Sequence, residues 1–115
     1  MKFFLIAGEP SGDLLGAALM AGLRELVPDA RFVGIGGQAM TAQGLDSLFP
    51  MAELSVMGIW EVLPKYRHLK RRIAETAARV AAENPDALIG IDSPDFCLRV
   101  ARAARAQQPG LRVIH

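Results

Sequence analysis

Cysteine is almost missing from this 115-residue sequence. Cys97 stands alone, so no disulfide can form within the chain and a reducing compartment is expected. An excess of one charge is missing too. Thirteen Lys and Arg face twelve Asp and Glu, for a net charge of +1, which argues against wholesale nucleic-acid binding. No apolar run approaches the roughly 18 residues that a membrane-spanning helix needs. The opening MKFFLIAG has a lysine and a short apolar run but turns acidic at Glu9. It lacks the longer apolar region and the small-residue cleavage site of a signal peptide, so it reads as a first strand. There is no internal repeat and no low-complexity tract. These absences leave one cytoplasmic domain, long enough to bury roughly two thirds of its unfolded surface.

Four apolar runs of strand length are present: Phe3–Ala7, Arg31–Ile35, Ala87–Ile91 and Leu111–Ile114. Between them lie stretches of helical spacing. Leu14, Leu15, Ala18, Leu19, Leu23 and Leu26 form an i, i+4, i+8 stripe that Pro28-Asp29 stops. A longer helix is predicted from about Lys65 to Glu83, ended by Asn84-Pro85, and another from Pro94 to Gln107, ended by Pro109-Gly110. Strands alternating with helices give βαβ units, so the fold class is α/β: an open, Rossmann-like parallel sheet with helices on both faces. The sequence stops at His115 straight after an apolar strand, and a fragment is expected.

Ligands of such sheets bind at the carboxyl ends of the strands. AGEPSGDLLG (residues 7–16) leaves the first strand there. Gly8 and Gly12 allow a tight turn, while Ser11 or Asp13 can cap the helix, whose free N–H groups could hold an anion or a sugar hydroxyl. It contains no Lys and is not a Walker loop. GIGGQA (34–39) matches G-x-G-x-x-A, with Glu53 about where a ribose-binding acid sits. The match follows the second strand, and Gly44 closes its helix within two turns, so a dinucleotide-binding redox domain is the alternative reading.

LSVMGIWEVLPKYRHLKRR (54–72) joins an apolar segment to a basic one containing Lys65, Arg67, Lys70, Arg71 and Arg72. On a helix, Leu63, Tyr66, Leu69 and Ile73 form an apolar stripe, extended upstream by Ile59, Trp60 and Val62. Such a stripe beside clustered cations suits an anionic bilayer surface, at about 1 kcal/mol per basic residue. It equally suits a solvated helix with an ordinary core face, or a phosphate-bearing ligand. Stacking platforms for nucleic acid are missing.

LIGIDSPDF (88–96) runs from a strand into two carboxylates. Pro94 fits the first helical position with Ser93 as cap, and Asp95 then faces the positive end of the helix dipole, worth about 0.3–1 kcal/mol. Asp92 stands at the crevice, across from the Glu9 loop if the two strands are near neighbours. Converging carboxylates can bind sugar hydroxyls, and one can take a proton from a nucleophilic hydroxyl.

Together, AGEPSGDLLGA, RFVGIGGQAM, LSVMGIWEVLP and PDALIGIDSPDFCLRVA resemble, in order and spacing, the amino-terminal domain of the lipid-A-disaccharide synthases. The resemblance spans essentially residues 1–115. It implies one half of a two-domain GT-B glycosyltransferase of lipid A biosynthesis, with the nucleotide-binding carboxyl-terminal domain absent from this chain. The implied reaction moves 2,3-diacylglucosamine from UDP-diacylglucosamine to the 6-hydroxyl of diacylglucosamine 1-phosphate, with inversion. The family's acidic loop falls on Glu9, Ser11, Gly12 and Asp13. Its strand-end aspartate falls on Asp92, and its P-D-F on Pro94, Asp95 and Phe96. The family usually has asparagine where this sequence has Cys97, and often threonine where it has Pro10.

The resemblance thus makes Asp92 the expected general base, with Glu9 competing for that role or orienting the acceptor. Ser11, Gly12, Asp13, Asp95 and Met57 are the substrate-binding candidates. Trp60, Val62, Leu63, Tyr66 and Leu69 form the expected acyl-chain and membrane patch. No metal or other cofactor is expected, although Asp92 and Asp95 could imitate an Asp-x-x-Asp ion site. The expected partners are the two lipid substrates and the inner-membrane surface, contacted peripherally, with no nucleic acid; an oligomer is compatible with the sequence.

Overall fold

In the computed structural model, residues 1–55 and 66–115 are described. The strands are β1 (Lys2–Ile6), β2 (Arg31–Ile35), β3 (Ala87–Gly90) and β4 (Val113–Ile114). The helices are α1 (Pro10–Leu26), α2 (Gln38–Ala42), α3 (Ala52–Ser55), α4 (Tyr66–Glu83) and α5 (Pro94–Gln107). All strand pairs are parallel, in the order β2-β1-β3-β4. The expected α/β architecture is therefore present. β1 begins and ends one residue earlier than the apolar run suggested, and β4 keeps only two residues of its run.

Alternation along the strands sends side chains to two cores. Phe4, Ile6 and Leu88 pack with Leu69 and Val80 of α4 and with Phe96 and Val100 of α5. Phe3, Leu5, Phe32 and Ile89 pack on the other side with Met20 of α1 and Met40 of α2. Burying each such Phe, Leu, Ile or Met side chain contributes roughly 1.5–3 kcal/mol.

The leucine stripe of α1 faces the sheet only in part: Leu19 and Leu23 are half-buried against the core, and the rest turns outward. Leu14, Leu15 and Leu26 are 67%, 62% and 81% exposed, and Ala18 is exposed as well. The buried face consists of Gly12, Asp13, Gly16 and Met20. Small residues are needed on this face because the helix runs close to its neighbours. A Cβ at Gly16 would come within 2.6 Å of Met40 Sδ and 2.8 Å of Ile91 Cδ1.

Gly34, the first glycine of the G-x-G-x-x-A match, lies within β2 at φ 138°, where a Cβ would overlap the Leu5 carbonyl. Its presence is explained by strand packing. Asn84 ends α4 in the left-handed region at φ 46°, a conformation asparagine tolerates, and Pro85 follows.

Candidate functional site at the β1–β3 switch point

The sheet order puts β1 beside both β2 and β3, so the chain leaves in opposite directions from neighbouring carboxyl ends. That divergence is where crevices form in open α/β sheets. Ile6 pairs with Gly90, and Ile91 N–H donates to the Ile6 carbonyl at 2.9 Å. Two residues beyond that pair, Gly8 and Asp92 stand side by side.

The Asp92 carboxylate closes the gap between the two loops. Gly8 N–H donates to its Oδ1 at 2.5 Å, Glu9 N–H to its Oδ2 at 3.1 Å, and the Ser93 hydroxyl to Oδ1 at 3.1 Å. A carboxylate has about four lone-pair sites. Three are filled, so the remaining one is on Oδ2. Gly12 makes room for this group, since a Cβ there would lie 2.8 Å from Asp92 Cγ and overlap Oδ2. Asp92 and Ser93 are half-buried, whereas Glu9 and Ser11 are exposed. Glu9 occupies the N-cap position of α1 without a side-chain capping bond. The structure thus brings Asp92, Glu9, Ser11 and Gly12 together.

Asp13 does something else. It was expected to cap α1 or touch substrate, but its side chain is buried and points at the second loop. Gly37 N–H and Met40 N–H donate to Oδ1, and Ala39 N–H donates to Oδ2, each at 2.9 Å. These donors open α2, whose own N-cap, Gly37, has no side chain to offer. A pyrophosphate on a G-x-G-x-x-A loop would need such N–H groups, and here an internal carboxylate occupies them. Glu53 is likewise committed. It accepts from Arg72 Nη2 at 2.8 Å and pairs with His68 Nε2 at 2.5 Å. Burial alone would raise its pKa, but the hydrogen bonds from His68 and Arg72, and then their charges, hold it below the ordinary glutamate range. Both features expected of a dinucleotide site are therefore engaged in internal contacts.

The rest of the basic segment divides. Arg67, Lys70 and Arg71 are exposed. Arg72 turns inward to Glu53 and Glu75 and lies 4.5 Å from the Phe49 ring centroid. Leu69, expected on the membrane patch, is wholly buried in the core instead. Helical periodicity does not distinguish a core face from a lipid-facing one. Met57, Trp60, Val62 and Leu63, with the side chain of Tyr66, lie outside the described residues.

The family description Lipid-A-disaccharide synthetase matches residues 3–115. The chain belongs to the lipid-A-disaccharide synthetase family. It is 64% identical over 115 residues to the lipid-A-disaccharide synthase of Ruegeria pomeroyi, covering 100% of this chain and 28% of that protein. It is 48% identical over 116 residues to that of Rhodospirillum centenum, covering 100% and 29%. With the Pseudomonas entomophila synthase it shares 47% over 111 residues, covering 96% and 29%. The chain thus spans little more than a quarter of the length of these curated relatives.

Within this synthetase-family segment, the turn after Asp92 departs from expectation. Ser93 stands at the N-cap position of α5 but makes no capping bond, and its backbone is left-handed. Buried Cys97 lies one turn into α5, and its thiol donates to the Asp92 main-chain carbonyl at 3.2 Å. Burial, with a smaller contribution from the Asp92 charge, pushes that thiol up to about 12. Asp95 is half exposed and pairs with Arg99 Nε at 3.2 Å. Among the described residues no group of three or more His, Cys, Asp or Glu side chains is arranged to hold a metal ion.

Proposed function

We propose that residues 1–115 form the acceptor-side, Rossmann-like domain of a two-domain inverting glycosyltransferase that makes the lipid A disaccharide. The substrates are UDP-2,3-diacylglucosamine and 2,3-diacylglucosamine 1-phosphate; the products are the disaccharide 1-phosphate and UDP. Family membership supports the chemistry. The observation that carries the site is the position of Asp92 at the switch point, with one lone pair on Oδ2 left beside the exposed Glu9–Ser11 turn. In this reading the acceptor 6-hydroxyl approaches Oδ2. Its oxygen bonds to the anomeric carbon as its proton passes to Asp92, and the bond to UDP breaks with its electron pair leaving on the diphosphate. The centre passes through an oxocarbenium-like state, as in glycoside hydrolysis. Positioned base assistance of this kind is worth about 10²–10⁴-fold.

Glu9 has the complementary placement. Its carboxylate is free of helix-capping duty and exposed at the amino end of α1, suited to holding an acceptor hydroxyl. Ser11 and Gly12 supply the adjoining rim. The nucleotide is assigned to a second domain, because both glycine loops here spend backbone N–H groups on internal carboxylates. Asp92→Asn in a polypeptide of the relatives' length that begins with these residues is expected to lower kcat at least 100-fold with its circular dichroism spectrum preserved. Near-parental turnover would remove Asp92 from the role.

No helix among the described residues is long and apolar enough to cross a membrane. A cytoplasmic protein held peripherally at the inner membrane, where both lipid substrates reside, is the reading proposed for location. The exposed Arg67 and Arg71 fit an anionic surface. Binding to vesicles that contain phosphatidylglycerol, weakened by Trp60→Ser with Leu63→Ser, tests it; unchanged sedimentation counts against it.

A further inference from the structure

We infer that Ser93 is a positioning residue that fixes the Asp92 carboxylate and leaves Oδ2 as the proton-accepting oxygen. The inference rests on the base role proposed for Asp92. Two ordinary reasons for a serine at this place fail. A capping serine adopts extended backbone and accepts from the N–H groups of the first helical turn, yet Ser93 has φ 52° and ψ 57° and no capping bond. Backbone preference does not favour it either, since glycine or asparagine takes the left-handed region more readily. Ser93 is one of only two non-glycine residues with positive φ among those described. Its side chain must therefore supply a contact that the backbone alone does not explain.

That contact is the hydroxyl bond to Asp92 Oδ1. With Gly8 N–H on the same oxygen, Oδ1 has both its lone pairs occupied. A quarter-turn of the carboxylate about its Cβ–Cγ bond would break both bonds, so the carboxylate plane is held and whichever oxygen stands at the Oδ2 position keeps the open lone pair. The left-handed turn carries the hydroxyl to this position. Cys97 holds the turn from below, its thiol on the Asp92 carbonyl at 3.2 Å and its N–H on the Ser93 carbonyl at 3.0 Å. The fit on the facing loop is equally close: a Cβ at Gly8 would overlap Ser93 Oγ.

Stability and turnover should therefore respond separately. In the family-length polypeptide, Ser93→Gly relieves the backbone and removes the hydroxyl. Its unfolding midpoint should change little, because backbone relief offsets the lost hydrogen bond, while kcat falls roughly tenfold or more, the scale of a lost hydrogen bond to a charged group, and KM stays within about twofold. Ser93→Thr keeps the hydroxyl but suits the left-handed region less. Its midpoint should fall while its kcat stays closer to the parent than that of Ser93→Gly. Parental kcat in Ser93→Gly, or kcat that follows the midpoint through both variants, overturns the inference. Asp92→Asn separates the two readings. If that variant is inactive and Ser93→Gly is fully active, the Ser93 inference alone falls; if Asp92→Asn is active, both fall.

Discussion

Replacing Asp13 with alanine takes both carboxylate oxygens away from the Gly37, Ala39 and Met40 N–H groups. Each hydrogen bond to a buried charge contributes about 1.5–3 kcal/mol net. The three share one acceptor group and are not additive, so about 4 kcal/mol is a reasonable total. That is a large share of the roughly 5–15 kcal/mol that holds a domain folded. The loss should be concentrated at α2, whose five residues are far too few to persist as a helix without tertiary support. Met40, fully buried on that helix, would lose its setting.

Asparagine distinguishes this account from a simple volume effect. It can keep Oδ1 for Gly37 and Met40 but sets an amide N–H₂ against Ala39 N–H, a cost of about 1.5–3 kcal/mol. Urea unfolding followed by far-ultraviolet circular dichroism reads both variants. With a slope of roughly 1.5 kcal/mol per molar urea, asparagine should lower the midpoint by about 1–2 M and alanine by more than 2 M. An alanine variant within about 1 kcal/mol of the parent would refute the reasoning, since the estimate rests on three hydrogen bonds to one buried carboxylate. So would equal costs for the two substitutions.

Gly12→Ala should favour α1 by helix propensity, by up to about 1 kcal/mol, yet displace Asp92 through contact with its carboxylate. Turnover should therefore fall in a family-length enzyme, and parental kcat would show that Asp92 has room to spare. Glu53 has a folded pKa below its ordinary range. Its ionised form adds stability above that range, and this is lost as pH falls through the lower folded value. Glu53→Gln should thus cost stability at pH 7 and flatten the acid limb of a thermal-unfolding profile, with parallel profiles as the contrary result. Cys97, buried and raised to about 12, should react with a thiol reagent in urea and resist it in the folded protein at pH 8. Rapid native labelling would contradict the packing at Gly90 and Asp92.

The α/β class was legible because hydrophobic runs of strand length alternate with helical stretches, and β2 and α5 coincide with their predicted bounds. Proline marks both ends of α5's span, and Asn84-Pro85 marks the end of α4. The face of α1 was legible only at Leu19 and Leu23, which pack against the core. Leucine is a strong apolar signal, but close approach to a sheet requires the small residues Gly12 and Gly16, which hydropathy hardly registers. Asp92 could be read because a strand-end carboxylate needs only the position of β3. The partners of Asp13 could not, since they lie 24 to 27 residues away on another loop. Nor could the left-handed turn at Ser93, because a serine before proline ahead of a helix ordinarily signals a cap.

The two buried or half-buried carboxylates at the carboxyl end of this sheet occupy backbone N–H groups of both glycine loops from within the chain. Each glycine loop presents backbone N–H groups that elsewhere would attract phosphate. Asp92 fills those of Gly8 and Glu9, and Asp13 fills those of Gly37, Ala39 and Met40. The satisfaction differs in kind. Asp13 is buried with both oxygens committed, so it fixes the second loop and can do little else. Asp92 is half-buried and has one lone pair on Oδ2 without a hydrogen bond, next to the turn that carries the exposed Glu9 and Ser11. Only the second arrangement leaves a carboxylate oxygen with an unfilled lone pair, and that oxygen is the one to which the proposed transfer assigns the proton.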